Sequence, residues 1–147
     1  MYFVDRRKIE QILEYMERLL DESKKQQAQT FAERLAFERK VHITVEAIID
    51  AGNQMIDGFI MRDPGSYEDI IDILTDEKVL PESEKSGYKD IIRLRKEVVQ
   101  NYTNIDHEAV MRVWEVNKDS LLKFPIRVRT YLDEELGPVS AFSSNKE

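Results

Sequence analysis

Arg93-Leu94-Arg95-Lys96-Glu97-Val98-Val99-Gln100-Asn101-Tyr102 is the stretch that decides the fold. Upstream of it, Tyr88, Ile91, Ile92 and Leu94 lead to Val98 and Val99 at spacings of three and four, one face of a helix. Downstream, Gln100-Asn-Tyr-Thr-Asn-Ile-Asp106 is polar and ends that pattern. Asp106, with Glu108 behind it, reads as the N-cap of the next helix. Pro81 marks the start of the motif helix, since proline fits a first helical turn.

The same periodicity runs through the rest of the chain. Ile9, Ile12, Leu13, Met16, Leu19 and Leu20 predict a first helix over about 5–26. Phe31, Leu35, Val45, Ile48, Ile49, Met55, Ile56 and Ile60 predict a long second helix over about 30–62. Gly52 and Gly58 lower its helix propensity, so their expected use is the close approach of another helix. Arg62-Asp-Pro-Gly65 signals a turn, and Ser66 caps a short third helix with Glu68 and Asp69 in its first turn. A fifth helix carries Val110, Val113, Trp114, Leu121, Leu122, Phe124, Val128, Tyr131 and Leu132, with Pro125 expected to kink or split it. No alternating Val/Thr-rich run predicts a sheet. The expected architecture is all-α: an up-and-down bundle of four main helices plus one short helix. Residues 1–136 are read as one domain and 137–147 as a flexible tail.

Composition agrees. The 147 residues are 35% charged and 41% hydrophobic, with only five glycines and four prolines, as in charge-dressed helices around an apolar seam. A chain of this length buries roughly 68–70% of its unfolded surface, enough for one core without staples. There is no cysteine, which excludes disulfides, thiol catalysis and Cys-ligated zinc. The apolar start is too short for a signal peptide and no run reaches membrane-spanning length, so a cytoplasmic chain with no membrane contact is expected. Net charge is −7, which repels phosphate backbones at long range. RNA binding therefore needs a local basic patch. Lys89, Arg93, Arg95 and Lys96 form one, against Asp90 alone; a solvated helix face explains the same residues equally well.

Arg95, Gln100 and Tyr102 resemble the Arg-x4-His-x-Tyr motif of HepT-like proteins, small helical ribonucleases and toxins of the HEPN superfamily, with Gln100 in the histidine position. Ala47-Ile-Ile-Asp-Ala-Gly-Asn-Gln-Met55, Ser66-Tyr-Glu-Asp69 and Tyr102-Thr-Asn-Ile-Asp106 are similar to that family in order and spacing, so the likeness spans about 35–131. The resemblance implies a homodimer with a metal-independent ribonuclease site at its interface. It also implies a nucleotidyltransferase-fold antitoxin as partner, and Tyr102 as the acceptor of AMP groups from it. Catalytic candidates are then Arg95, Gln100 and Tyr102, with Lys89, Arg93, Arg95, Lys96 and Asn101 for phosphate or RNA. No cofactor and no metal are expected.

The departure at Gln100 matters chemically. Metal-free RNA cleavage needs a base for the 2′-hydroxyl, an acid for the 5′-oxygen and a cation for the phosphorane. Arginine supplies a permanent planar charge, and histidine titrates near neutrality. A glutamine amide only donates and accepts hydrogen bonds. Losing positioned acid–base catalysis typically costs about 10²–10⁴-fold, so weak or absent activity is expected. A catalytically inactive binding bundle, modified at Tyr102, is the alternative. A bundle without ligand, with Arg95 in a surface ion pair, is the plainest. His107 is a candidate substitute acid or base, although an exposed first-turn residue is its simpler reading. His42 is read as an ordinary residue of the second helix. On one continuous α-helix Gln100 points roughly 140° away from Arg95. Convergence therefore requires the helix to end near Gln100, or a partner subunit to contribute.

Overall fold

The computed structural model describes residues 2–23 and 28–137; the expected tail at 138–147 and the expected end of the first helix near residue 26 lie outside the described residues. Six α-helices follow one another: α1 (Arg6–Ser23), α2 (Phe31–Gly58), α3 (Tyr67–Asp76), α4 (Lys85–Arg95), α5 (His107–Val116) and α6 (Lys118–Leu136). No strand occurs among the described residues, so the protein is all-α as the periodicity indicates.

α2 is the spine. It packs against α1, α3, α4 and the turn that ends α4, while α6 returns against α1 and α4. Its N-terminus is set by a capping box: Thr30 Oγ1 accepts from the Glu33 amide, and the Glu33 carboxylate accepts from the Thr30 amide. Ser66 caps α3 and Asp106 caps α5, each accepting the amide three residues on. A single apolar cluster runs from Ile9, Leu13, Met16 and Leu20 on α1, through Val45, Ile48, Met55 and Ile56 on α2, to Trp114, Phe124, Val128 and Leu132.

Gly52 is where α2 and α3 come closest: a β-carbon there would overlap Ile70 Cγ2 and touch Leu74 Cδ1 at 3.5 Å. Gly58 also marks a close approach, but to the extended N-terminal segment at Val4, not to a helix. Three residues expected in the α2 seam lie outside the core. Phe31 and Leu35 are exposed at the groove between the first turns of α2 and the start of α5, and Ile60 is exposed beyond the helix end at positive φ.

The expected fifth helix is two helices, and the break is at Asn117 rather than Pro125. Asn117 Nδ2 donates to the Val113 carbonyl, and its side chain sits against Gly87 of α4. A short amide that competes for backbone in this way ends a helix. Pro125 is buried within α6, which runs on through it. Its missing N–H removes one backbone hydrogen bond there without splitting the helix.

Polar clasps tie the helices together. Buried Glu84, in the 3-10 turn before α4, accepts from Tyr88 Oη at 2.9 Å and from Arg127 of α6, while Tyr88 Oη also donates to the Ser120 carbonyl at 2.8 Å. Burial pushes the Glu84 carboxyl up, but the Arg127 and Tyr88 hydrogen bonds outweigh it and hold it below the ordinary value. Arg129 of α6 grips both Glu10 and Glu17 of α1.

Candidate functional site

α4 does not end as an α-helix. Residues Lys96–Gln100 form a π turn, in which the Asn101 amide donates to the Lys96 carbonyl at 3.1 Å. A single 3-10 turn, Tyr102–Asn104, follows. π turns are rare and concentrate at functional sites. The wider turn rotates less per residue than an α-helix, so it narrows the separation between Arg95 and Gln100. The helix thus ends near Gln100, one of the two conditions for convergence.

Within the chain the three motif residues nevertheless do not meet. Arg95 turns inward along α2. Its Nε donates to Glu46 Oε2 at 2.7 Å, and its guanidinium lies 4.9 Å from the ring centre of Tyr67, the first residue of α3. The side chain is 26% exposed, so the guanidinium is anchored but still reachable from solvent. The Glu46 hydrogen bond raises Arg95 above the ordinary arginine value, against the opposing effect of burial. The charge is therefore permanent. Gln100 faces outward with Arg93, Lys96, Glu97 and Asn101 around a shallow depression of about 340 Å³. Tyr102 is 71% exposed and lines a different groove of about 900 Å³, between the first turns of α2 and the start of α5.

The basic patch is largely neutralised. Lys89 pairs with Asp72 of α3 at 2.7 Å. Arg93 donates twice to Glu68 and once to Asp90. Asn101 Nδ2 donates to Glu97 Oε2 at 3.1 Å, and the same oxygen accepts from the Asp106 amide. Only Lys96 of the four cations has no carboxylate partner among the described residues.

His107 is not the exposed residue its first-turn position suggests. Its side chain is 17% exposed, its ring stands edge-on to Phe37 at 5.5 Å, and both nitrogens are shielded without a hydrogen-bond partner. Nδ1 lies 3.5 Å from Glu38 Oε2. The ring lines the same groove as Tyr102, but its nitrogens meet a ligand only if the ring moves.

The residues that sequence reasoning missed are Glu46, Tyr67 and His42. His42 Nε2 lies 3.8 Å from Glu46 Oε2, the same oxygen that holds Arg95. One signal for Glu46 was present. It is the sole carboxylate in Val41-His-Ile-Thr-Val-Glu-Ala-Ile-Ile49, a run in which only His42 and Thr44 are otherwise polar. A charge retained in such a run calls for a partner. Nothing local announces that the partner is Arg95, 49 residues away. Among the described residues no group of three or more His, Asp or Glu side chains is arranged to hold a metal ion, and no helix is long and apolar enough to cross a membrane.

Comparison with known proteins gives this site its setting. "Putative RNase YutE" of Bacillus subtilis (strain 168) is 49% identical over 145 residues, covering 97% of this chain and 99% of that protein. The solved structure "Structure of Cytosolic Protein of Unknown Function YutE from Bacillus subtilis" matches with a TM-score of 0.92 at 50% identity, over 97% of this chain and 100% of that one. The family described as ribonuclease HepT-like matches residues 9–128, so the likeness begins in α1, well before the expected start near residue 35. With the π-ended motif helix, the family match and these relatives taken together, the chain belongs to the HepT-like ribonuclease family.

Proposed function

We propose that this protein is the ribonuclease half of a toxin–antitoxin pair in the cytoplasm, working as a homodimer with a metal-independent composite site and with catalysis weakened at Gln100. The observation that carries it is Arg95. A guanidinium fixed by Glu46 and Tyr67, charged at every relevant pH and still open to solvent, is suited to grip a phosphate. Its orientation is set before substrate arrives, which is what electrostatic stabilisation of a phosphorane requires.

Gln100 and Tyr102 point out of the protomer, away from Arg95. A second copy seated on this face would close the site from outside. The groove beside Tyr102 offers apolar surface for it, with Phe31 72% exposed and Leu35 on the same side. A nucleotidyltransferase-fold antitoxin completes the pair.

A second reading has its own observation. Tyr102 is exposed, and its hydroxyl has no partner among the described residues, as an acceptor for AMP must be. On this reading the chain is a non-catalytic, modifiable binding bundle. Sedimentation at micromolar concentration tests the dimer, and a monomer would sink the composite site. RNA cleavage by the natural chain, Arg95→Ala and Gln100→His tests the chemistry. Cleavage by the natural chain that Arg95→Ala abolishes supports the ribonuclease. Cleavage by Gln100→His alone supports the binding bundle built on an intact ribonuclease frame.

A further inference from the structure

The motif lacks its histidine, yet a histidine stands beside the motif arginine. We propose that His42 supplies proton transfer at the Arg95 site in place of the residue absent at position 100, with Glu46 holding both. The inference rests on the ribonuclease reading above.

Three features carry it. First, Glu46 Oε2 is shared: Arg95 Nε donates to it at 2.7 Å, and His42 Nε2 lies on it at 3.8 Å, an ion-pair distance. One carboxylate oxygen therefore brings a permanent cation and an imidazole from different helices to the same point. Second, His42, Glu46 and Arg95 are 29%, 31% and 26% exposed, so each of the three side chains that meet at Glu46 Oε2 is open to solvent. His107 in contrast has both nitrogens shielded. Third, the Glu46 carboxylate stands 3.8 Å from Nε2, beyond hydrogen-bond reach, and its negative charge favours the tautomer with the proton on that side. That leaves Nδ1, which has no hydrogen bond among the described residues, as the basic nitrogen. A carboxylate beside an imidazole is a common electrostatic support of a histidine base. An (i, i+4) His–Glu pair on a helix surface is commonplace by itself. Its distinction here is that the carboxylate also fixes the motif arginine.

The chemistry balances without a further reactant. His42 Nδ1 takes the 2′-hydroxyl proton as the 2′-oxygen–phosphorus bond forms. The phosphorus–5′-oxygen bond breaks, and water protonates the leaving 5′-oxygen. The resulting hydroxide recovers the proton from the imidazolium. The products are a 2′,3′-cyclic phosphate and a 5′-hydroxyl. Arg95 neutralises the phosphorane meanwhile. The charged groups that face His42 are Glu46 on its own helix and, across that carboxylate, Arg95 from α4.

The test is cleavage of a fluorophore-labelled single-stranded oligouridylate by the full chain, His42→Gln, His107→Gln, Glu46→Gln, Arg95→Ala and Gln100→His, from pH 5 to 9. All variants are first checked for a native thermal transition. The expected result is that His42→Gln lowers kcat about 10²–10⁴-fold with little change in KM and changes the shape of the pH profile. If the natural chain cuts, Arg95→Ala does not, and His42→Gln cuts at the natural rate with the same pH profile, the proposal is overturned while the ribonuclease reading stands. The proposal is equally overturned if His107→Gln, and not His42→Gln, abolishes cleavage. If only Gln100→His cuts, His42 does not replace the missing group. If no chain cuts, both the proposal and the ribonuclease reading fall.

Discussion

Gly52→Ala should destabilise the protein, although alanine is the better helix former. In an exposed helix interior this exchange gains about 1 kcal/mol. Here the new methyl would overlap Ile70 Cγ2, with Leu74 Cδ1 at 3.5 Å and Ile70 Cβ at 3.9 Å closing the space around it. Cγ2 is a branch on the β-carbon of a buried α3 residue, so no rotamer change carries it away cheaply. The two helices must part by roughly 1 Å to restore ordinary carbon contact. Overpacking of this kind costs typically about 1–3 kcal/mol, and a clash with a stiff branch belongs in the upper half of that range. The net loss is about 1–2 kcal/mol, or roughly 3–6 °C in Tm for a chain of this size.

The consequence reaches the site, because α3 begins with Tyr67 and Glu68, which lie on Arg95 and Arg93. Urea titration of Gly52→Ala should show a lower midpoint at unchanged slope. Adding Ile70→Leu, which removes the branch at near-constant volume, should return part of the loss, since contacting residues are not additive. A midpoint equal to or above the natural one, or no recovery in the double variant, would refute the packing argument.

Glu84→Gln should cost about 1–2 kcal/mol at neutral pH, reduced from the buried-pair range because Arg127 is partly exposed. Glu84 is held below its ordinary 4.5, so its contribution is present above that pH and is lost as pH falls through the folded value. The gap between the two chains, followed by urea titration, should therefore shrink below pH 4.5. Arg129→Met should lower the thermal midpoint by loosening α1 from α6, because two carboxylates lose their common cation; an unchanged melt would count against the clasp. Arg95→Lys should weaken RNA cleavage by roughly tenfold or more, since an ammonium cannot both lie on Tyr67 and offer a planar fork to phosphate; equal kcat and KM for the two chains would show that the guanidinium geometry is irrelevant.

The helical fold was legible because its causes are local. Apolar residues recur at three and four, Ser66 and Asp106 cap helices where they stand, and the polar stretch after Val99 ends the motif helix. The break at Asn117 was not legible, because it depends on an amide folding back beside Gly87 of another helix. Pro125 drew attention by its chemistry but is absorbed inside α6. Of the candidate site, Arg95 and exposed Tyr102 could be picked out from the spacing. The pairing of Lys89 and Arg93 with carboxylates of α3 could not, because those contacts cross from one helix to another.

The π turn shows why spacing alone misleads at this site. On an α-helix, Arg-x4-Gln-x-Tyr puts the first and last residues on one face and the middle one far round the cylinder. The wider turn at Lys96–Gln100 changes that relation, and Tyr102 then leaves the helix altogether in a 3-10 turn. Each motif residue is thus aimed by a different local geometry. Arg95 is the last residue of regular α-helix, and its Nε donates to Glu46 of α2. Gln100 closes the π turn and faces water. Gln100 and Arg95 thus face different surroundings, whereas His42 stands at the same Glu46 oxygen as that arginine. A glutamine amide cannot itself transfer a proton, so on the ribonuclease proposal full activity calls for an acid or base elsewhere, and the proposal for His42 puts it on α2.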